Sequence, residues 1–156
     1  MSRSDFEREI VVRLFQTANS LQVYLDNMLK EHNLTAKQFF LMIIIGSFES
    51  EPSLKEVSER FGSSHQNVKQ ILNKLVKQNY IELKKDKSDS RITRIFFTQT
   101  AHSFWDKRNQ SDDLTMHDLF RSLSITELNV FKQSLIKTLA EIESLKGYHK
   151  HNTGTY

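Results

Sequence analysis

Gly62 separates two short segments of helical apolar period by a single turn, and this juxtaposition restricts the fold of the chain more than any other feature. Ser53-Leu54-Lys55-Glu56 has the pattern of a capping box, in which a hydroxyl and an acidic side chain satisfy free N–H groups reciprocally, so a helix is expected from Leu54 to Phe61. Gly62 ends it, because glycine enters the left-handed region without a Cβ penalty. Ser63-Ser64-His65-Gln66 repeats the capping pattern at once, and the next helix is expected to reach about Gln78. Two helices joined by so tight a turn form a helix-turn-helix.

Longer amphipathic segments flank this unit. Ile10, Leu14, Ala18, Leu21, Leu25 and Met28 recur at three and four, which predicts a long helix within Phe6–Leu29, interrupted at Asn33 and Leu34. Thr35-Ala36-Lys37-Gln38 is a capping box with Leu34 and Phe39 at the staple positions, opening a helix whose apolar residues continue to Phe48. After Gln78 comes Asn79, tolerant of the left-handed region. Ile81 to Lys84 then alternates with period two and Arg91 to Phe97 is β-branched and aromatic, so a hairpin is expected with a charged tip over Asp86–Ser90. Thr98 can cap a helix carrying Phe104 and Trp105, with a break expected near Ser111-Asp112-Asp113 before Leu114 and Phe120. Ser124-Ile125-Thr126-Glu127 caps a last helix with Leu128, Phe131, Leu135, Leu139, Ile142 and Leu145 on one stripe, expected to end at Gly147.

Charge is distributed unevenly along this pattern. Ser53 to Thr98 holds ten Lys/Arg against five Asp/Glu, whereas the rest of the chain holds 12 against 14. A basic segment between near-neutral flanks is what phosphate neutralisation requires, although a solvated lysine-rich surface has the same balance. The helix from Ser64 to Gln78 sharpens the reading. Val68, Ile71, Leu72, Leu75 and Val76 share one face, and Gln66, Lys69, Gln70, Asn73 and Lys77 share the other. No Asp or Glu occurs from Ser63 through Ile81, so nothing on that face would repel a phosphate. Asn and Gln can pair with adenine edges and Lys with guanine or phosphate. Ser63 and Ser64 add hydroxyls and free backbone N–H groups at the positive end of the helix. Gln66 has a second possible role, completing its capping box. In the hairpin, Lys84, Lys85, Lys87, Arg91 and Arg94 surround Asp86 and Asp89. Such a tip can enter a minor groove, with Asp89 orienting Arg91 two residues on, or it can simply carry a weak surface ion pair.

The order of these motifs resembles the multiple-antibiotic-resistance-regulator (MarR) family of winged-helix regulators. The resemblance rests on Leu34-Thr35-x-x-Gln38-Phe39, on Leu54-x-x-Val57 before Phe61-Gly62-Ser63, on Asn67-Val68 through Leu75, and on Asp89-Ser90-Arg91 followed by Phe97-Thr98. Departures from the family pattern are Asn79 in place of a glycine, Glu82 near an expected basic residue, Ser90 between the wing Asp and Arg, and Ala101 near an expected glycine. The resemblance implies a mainly α fold with a small β-hairpin: a winged helix-turn-helix over 34–98, and a helical dimerisation region from 1–33 with 99–147. A disordered tail is expected over 148–156. It further implies a cytoplasmic homodimer that binds a pseudo-palindromic duplex as a ligand-responsive repressor. The expected DNA-contacting residues are Ser63, Ser64, His65, Gln66, Asn67, Lys69, Gln70, Asn73, Lys87, Asp89, Arg91 and Arg94, with Arg91 in the minor groove. A protein-binding module of the same fold and a metal-responsive regulator are the alternatives.

Family resemblance also implies a small aromatic effector, for which Phe15, Phe39, Phe40, Phe104 and Trp105 are the candidate lining, though aromatic residues at helical spacing are commonly core. No other cofactor is expected. The chain has no cysteine, and its six histidines, at 32, 65, 102, 117, 149 and 151, include no i, i+4 pair. A metal site would need His32 and His102 with acids from other helices. There is no Gly-x-Ser-x-Gly, phosphate-cradling glycine loop or His-Glu-x-x-His, so no enzyme is expected. The longest apolar run, Phe39 to Ile45, is too short to span a bilayer.

Overall fold

The computed structural model describes residues 2–152, with the side chains of 109–114 and 147–152 left aside. The elements are α1 (Arg3–Met28), a 3-10 turn (Lys30–His32), α2 (Ala36–Gly46), α3 (Leu54–Phe61), α4 (His65–Lys77), β1 (Ile81–Lys85), β2 (Thr93–Phe97), α5 (Gln99–Phe120) and α6 (Ile125–Asn152). They fall into two compact units, Met1–Trp105 and Asp106–Tyr156.

In the first unit α2, α3 and α4 pack around Phe39, Leu41, Met42, Ile45, Val57, Val68, Ile71, Leu72 and Leu75, all buried. Leu25 and Leu29 from the end of α1, Tyr80 and Ile81 from the hairpin, and Ala101 and Phe104 from α5 complete the same core. Two capping boxes start helices where the sequence places them. Thr35 Oγ1 accepts the Gln38 N–H at 3.3 Å and Gln38 Oε1 accepts the Thr35 N–H at 2.9 Å. At α3, Ser53 Oγ accepts from Glu56 N at 3.3 Å and Glu56 Oε2 from Ser53 N at 2.7 Å. β1 and β2 pair antiparallel in the register Ile81↔Phe97 to Lys85↔Thr93. The segment before α3 adds one more rung: Ser53 bridges Arg94, and Ile95 N donates to Pro52 O at 2.9 Å. This rung fixes the hairpin against the helix-turn-helix.

β2 begins at Thr93, two residues later than its composition suggests. Arg91 N donates to Asp89 Oδ1 at 3.0 Å and Ile92 N to Asp89 O at 2.9 Å, so these residues belong to the turn. Of the apolar stripe on α1, Leu25 is buried and Leu14, Leu21 and Met28 are half-buried, while Ile10 and Ala18 are exposed; Phe6, Val11, Val12, Phe15, Val23 and Tyr24, off that stripe, are exposed as well.

In the second unit, Ser124 caps α6: its Oγ accepts from Glu127 N at 3.3 Å, and Glu127 Oε2 accepts from Ser124 N at 2.8 Å. α5 runs unbroken through Ser111-Asp112-Asp113, and α6 continues past Gly147 to Asn152. Three poor helix formers cost roughly 0.5 kcal/mol each and one glycine about 1 kcal/mol, too little to stop helices this long. The rest of the expected tail, 153–156, lies outside the described residues. Phe131, Leu135, Leu139, Ile142 and Leu145 form an uncovered apolar stripe along α6, and Val130 and Ile136 are exposed to either side of it. Among the described residues, no helix is long and apolar enough to cross a membrane.

Candidate nucleic-acid interface

The turn before α4 sets the frame of its exposed face. Gly62 has φ 68° and its N–H donates to Glu59 O at 3.3 Å, while Ser63 N reaches back to Ser58 O at 3.3 Å. Ser63 is therefore still closing α3. The first extended residue is Ser64 (φ −64°, ψ 149°), whose Oγ accepts the Asn67 N–H at 3.3 Å. The cap thus lies one residue later than the Ser63–Gln66 pattern suggests. Gln66 is exposed and not used in the cap, while Asn67 donates from Nδ2 to Ser63 Oγ at 2.7 Å.

Val68, Ile71, Leu72 and Leu75 are buried, which turns the opposite side of α4 outward. Gln66, Gln70, Asn73 and Lys77, spaced four, three and four apart, form its central ridge and are all exposed. His65 and Lys69 flank the ridge on one side, and Asn67 and Lys74 on the other. Val76, expected among the core residues, is exposed beside Lys69. Lys74, exposed one turn after Gln70, adds a cation to this surface that its i+4 spacing from Gln70 signals. The first turn of α4 carries no acid, so its free N–H groups present an unopposed partial positive charge.

The hairpin is organised by Asp86. Its Oδ1 accepts the backbone N–H groups of Ser88 at 2.8 Å and Asp89 at 3.0 Å, and its Oδ2 accepts Arg94 Nε at 2.8 Å. The Arg94 hydrogen bond, followed by the two backbone N–H groups, holds the Asp86 carboxyl down to about 2. Arg94 also donates from Nη1 to Glu56 Oε2 at 3.1 Å and to Glu51 O at 3.2 Å. Its guanidinium is thus engaged inside the protein, tying the wing to the start of α3. Arg91 is placed otherwise. Its side chain is 93% exposed, with Nε 3.6 Å from Asp89 Oδ1. Lys87 is exposed at the tip. A groove of about 560 Å3 runs between the first turn of α3 and the wing, lined by Lys55, His65, Arg91 and Thr93 together with the carboxylates Glu56 and Glu59. The start of α4 and the wing arginine therefore border one depression.

The aromatic candidates separate. Phe39 and Phe104 are buried and pack edge to face with centroids 6.2 Å apart, and Trp105 lies 5.5 Å from Phe39 and 5.1 Å from Phe104. Phe40 is partly exposed beside Phe39, while Phe15 is exposed on α1. His32 packs its ring against Phe104 and His102 against Phe97. Among the described residues, no three His, Asp or Glu side chains are grouped to hold a metal ion.

A buried three-helix unit, a hairpin pinned beside it and an exposed acid-free second helix define a winged helix-turn-helix protein. Residues 32–92 match the MarR family. The chain is 27% identical over 124 residues to the transcriptional repressor MprA of Escherichia coli (strain K12), covering 78% of this chain and 69% of that protein. A MarR protein from Peptoclostridium difficile superposes with a TM-score of 0.77 at 20% identity, covering 86% of this chain and 88% of the other. A MepR–DNA complex from S. aureus gives 0.70 at 18% identity, covering 90% and 98%. The matched segment, residues 32–92, holds α2, α3, α4 and β1, so the likeness to MarR-family proteins centres on the helix-turn-helix.

Proposed function

We propose that this protein is a sequence-specific repressor that binds a pseudo-palindromic DNA duplex as a homodimer. The observation that carries the reading is the outward ridge Gln66–Gln70–Asn73–Lys77, free of acids and bordered through His65 by the wing residue Arg91. Amide side chains on such a ridge offer paired donors and acceptors to base edges in a major groove, and Lys69, Lys74 and Lys77 offer charge to the phosphates beside it. Arg91, exposed and held near Asp89, suits a minor groove. MprA is a repressor and MepR was solved with DNA, which supports the same direction.

Assembly as a dimer is supported by apolar surface left uncovered on the single chain. The α6 stripe, and Phe6, Ile10, Val11, Val12 and Phe15 around α1, expose more large apolar side chains than a soluble monomer ordinarily leaves uncovered. A second copy of the chain is the partner that completes them, and two-fold symmetry would present two α4 ridges to one duplex. An aromatic effector would meet Phe40 and Trp105, which retain some exposure, before the buried Phe39 and Phe104.

Selection of duplexes from a random pool tests the reading. Recovery of an inverted repeat with half-sites about ten base pairs apart supports it. Recovery of no preferred sequence at low ionic strength contradicts it.

A further inference from the structure

The C-terminal end of α4 is held by a directed chain of amide hydrogen bonds. Gln38 is 3% exposed, and its Oε1 accepts the Thr35 backbone N–H at 2.9 Å. Its Nε2 donates to Gln78 Oε1 at 2.7 Å, and Gln78 Nε2 donates to the backbone carbonyl of Asn33. Gln78 is the C-cap of α4, and Asn33, with φ 54°, is the left-handed hinge between the 3-10 turn and α2. A backbone N–H can only donate and a backbone carbonyl can only accept. The chain begins at one and ends at the other, so neither amide can be reversed without opposing two donors or two acceptors. Two residues beyond Gln78, the Tyr80 hydroxyl donates to His32 O at 3.1 Å. Asn79 lies between them at φ 61°, with its Nδ2 donating to Thr100 Oγ1 at 3.1 Å. The end of the helix that carries the ridge is thus fastened to the joint that follows α1 and to the first turn of α5.

We propose that Gln38 and Gln78 are positioning residues for DNA recognition: their polarised relay from Thr35 to Asn33 fixes the orientation of α4 relative to the α1–α2 joint. This rests on the DNA-binding reading above. Neither side chain lies on the outward ridge, so the relay acts on how the ridge is held and not through contact with bases. Substitutions within hydrogen-bond networks of this kind change coupling by about 2–30-fold, and loss of a partner at a buried polar group is the costly case.

The test uses the full chain and an operator duplex obtained by selection. In Gln78→Lys the ammonium can still donate to Asn33 O but confronts Gln38 Nε2 with another donor. A cation at a helix C-terminus favours the helix itself, so a role limited to ending α4 would not suffer. Operator binding should weaken by about tenfold, with the mass of the assembly unchanged and the preference over random duplex reduced. Adding Gln38→Glu restores an acceptor facing the introduced ammonium and keeps the Thr35 cap, and operator affinity should return to within about threefold of the parent. Bulk electrostatics predict the opposite order, because Gln78→Lys adds a positive charge that favours DNA and the second change removes the gain. Should either lysine-bearing chain fail to fold, Gln78→Leu, at a half-buried site, should show the same tenfold loss. Unchanged operator affinity in Gln78→Lys or Gln78→Leu, or a double variant as weak as the single, overturns the proposal. A parent protein with no operator preference is a separate result and removes the underlying reading as well.

Discussion

Asp86 and Arg94 join the two ends of the hairpin loop, Oδ2 to Nε at 2.8 Å, and Arg94 carries the link on to Glu56 in the first turn of α3. The wing is therefore built from one carboxylate that collects two turn N–H groups and one arginine that anchors the loop to the helix-turn-helix. This leaves Arg91, three residues earlier, as the exposed arginine of the loop.

The two arginines should separate stability from binding. Arg91→Ala should lower operator affinity on the order of tenfold while leaving the melting temperature nearly unchanged, since an exposed pair at 3.6 Å contributes little. Arg94→Ala should lower the melting temperature clearly, because Asp86 and Glu56 lose a shared partner. Thermal unfolding and fluorescence anisotropy on the same samples check both. Equal melting temperatures for the two variants would contradict this division.

Acid should loosen the wing in a defined window. The Asp86 carboxyl lies at about 2 in the folded protein against an ordinary 3.8, so the folded state binds fewer protons there than the unfolded state. Its contribution is complete above pH 3.8 and is lost as pH falls from that value toward 2. Glu56, lowered first by its hydrogen bonds to Ser53, shifts in the same sense. Asp86→Asn should be less stable than the parent at neutral pH, and the gap should close through this acid window. Melting curves recorded against pH for the two chains measure it, and a gap that stays constant down to pH 2 would contradict the assignment.

Gly62 should resist substitution even though open space surrounds it. Nothing lies within 4 Å of a Cβ built there, yet φ is +68°. Gly62→Ala should destabilise by about 1–2 kcal/mol from backbone conformation alone, and Gly62→Asn should cost less. Chemical denaturation distinguishes this from packing, which predicts no cost for either.

How much of this was legible in the sequence depended on range. The capping boxes at Thr35–Gln38, Ser53–Glu56 and Ser124–Glu127 each span four residues and were readable as written. The frame of α4 was not, because the Ser63 N–H closes onto Ser58 and moves the cap to Ser64. Arg91 and Arg94 look equivalent in sequence; what separates them is that Arg94 bonds two carboxylates, Asp86 eight positions back and Glu56 38 positions back. The Gln38–Gln78 bond spans 40 positions and carries no local pattern. The break expected at Ser111-Asp112-Asp113 and the stop at Gly147 failed for the converse reason, since weak local preferences were outweighed by the helices around them.

Dimerisation should depend on the α6 stripe. Leu139, 58% exposed on the single chain, lies in its middle. Leu139→Asp should shift the sedimenting species from two chains to one and raise the operator dissociation constant by about a hundredfold. A variant that still sediments as two chains would place the subunit contact elsewhere.

On the proposed reading, two α4 ridges enter the major groove of one duplex. Guanine N7 lies in that groove, so methylation interference on a selected operator reads it directly. Two patches of interference related by two-fold symmetry and centred about ten base pairs apart are the predicted result. A single patch, or binding indifferent to N7 methylation throughout, would contradict it.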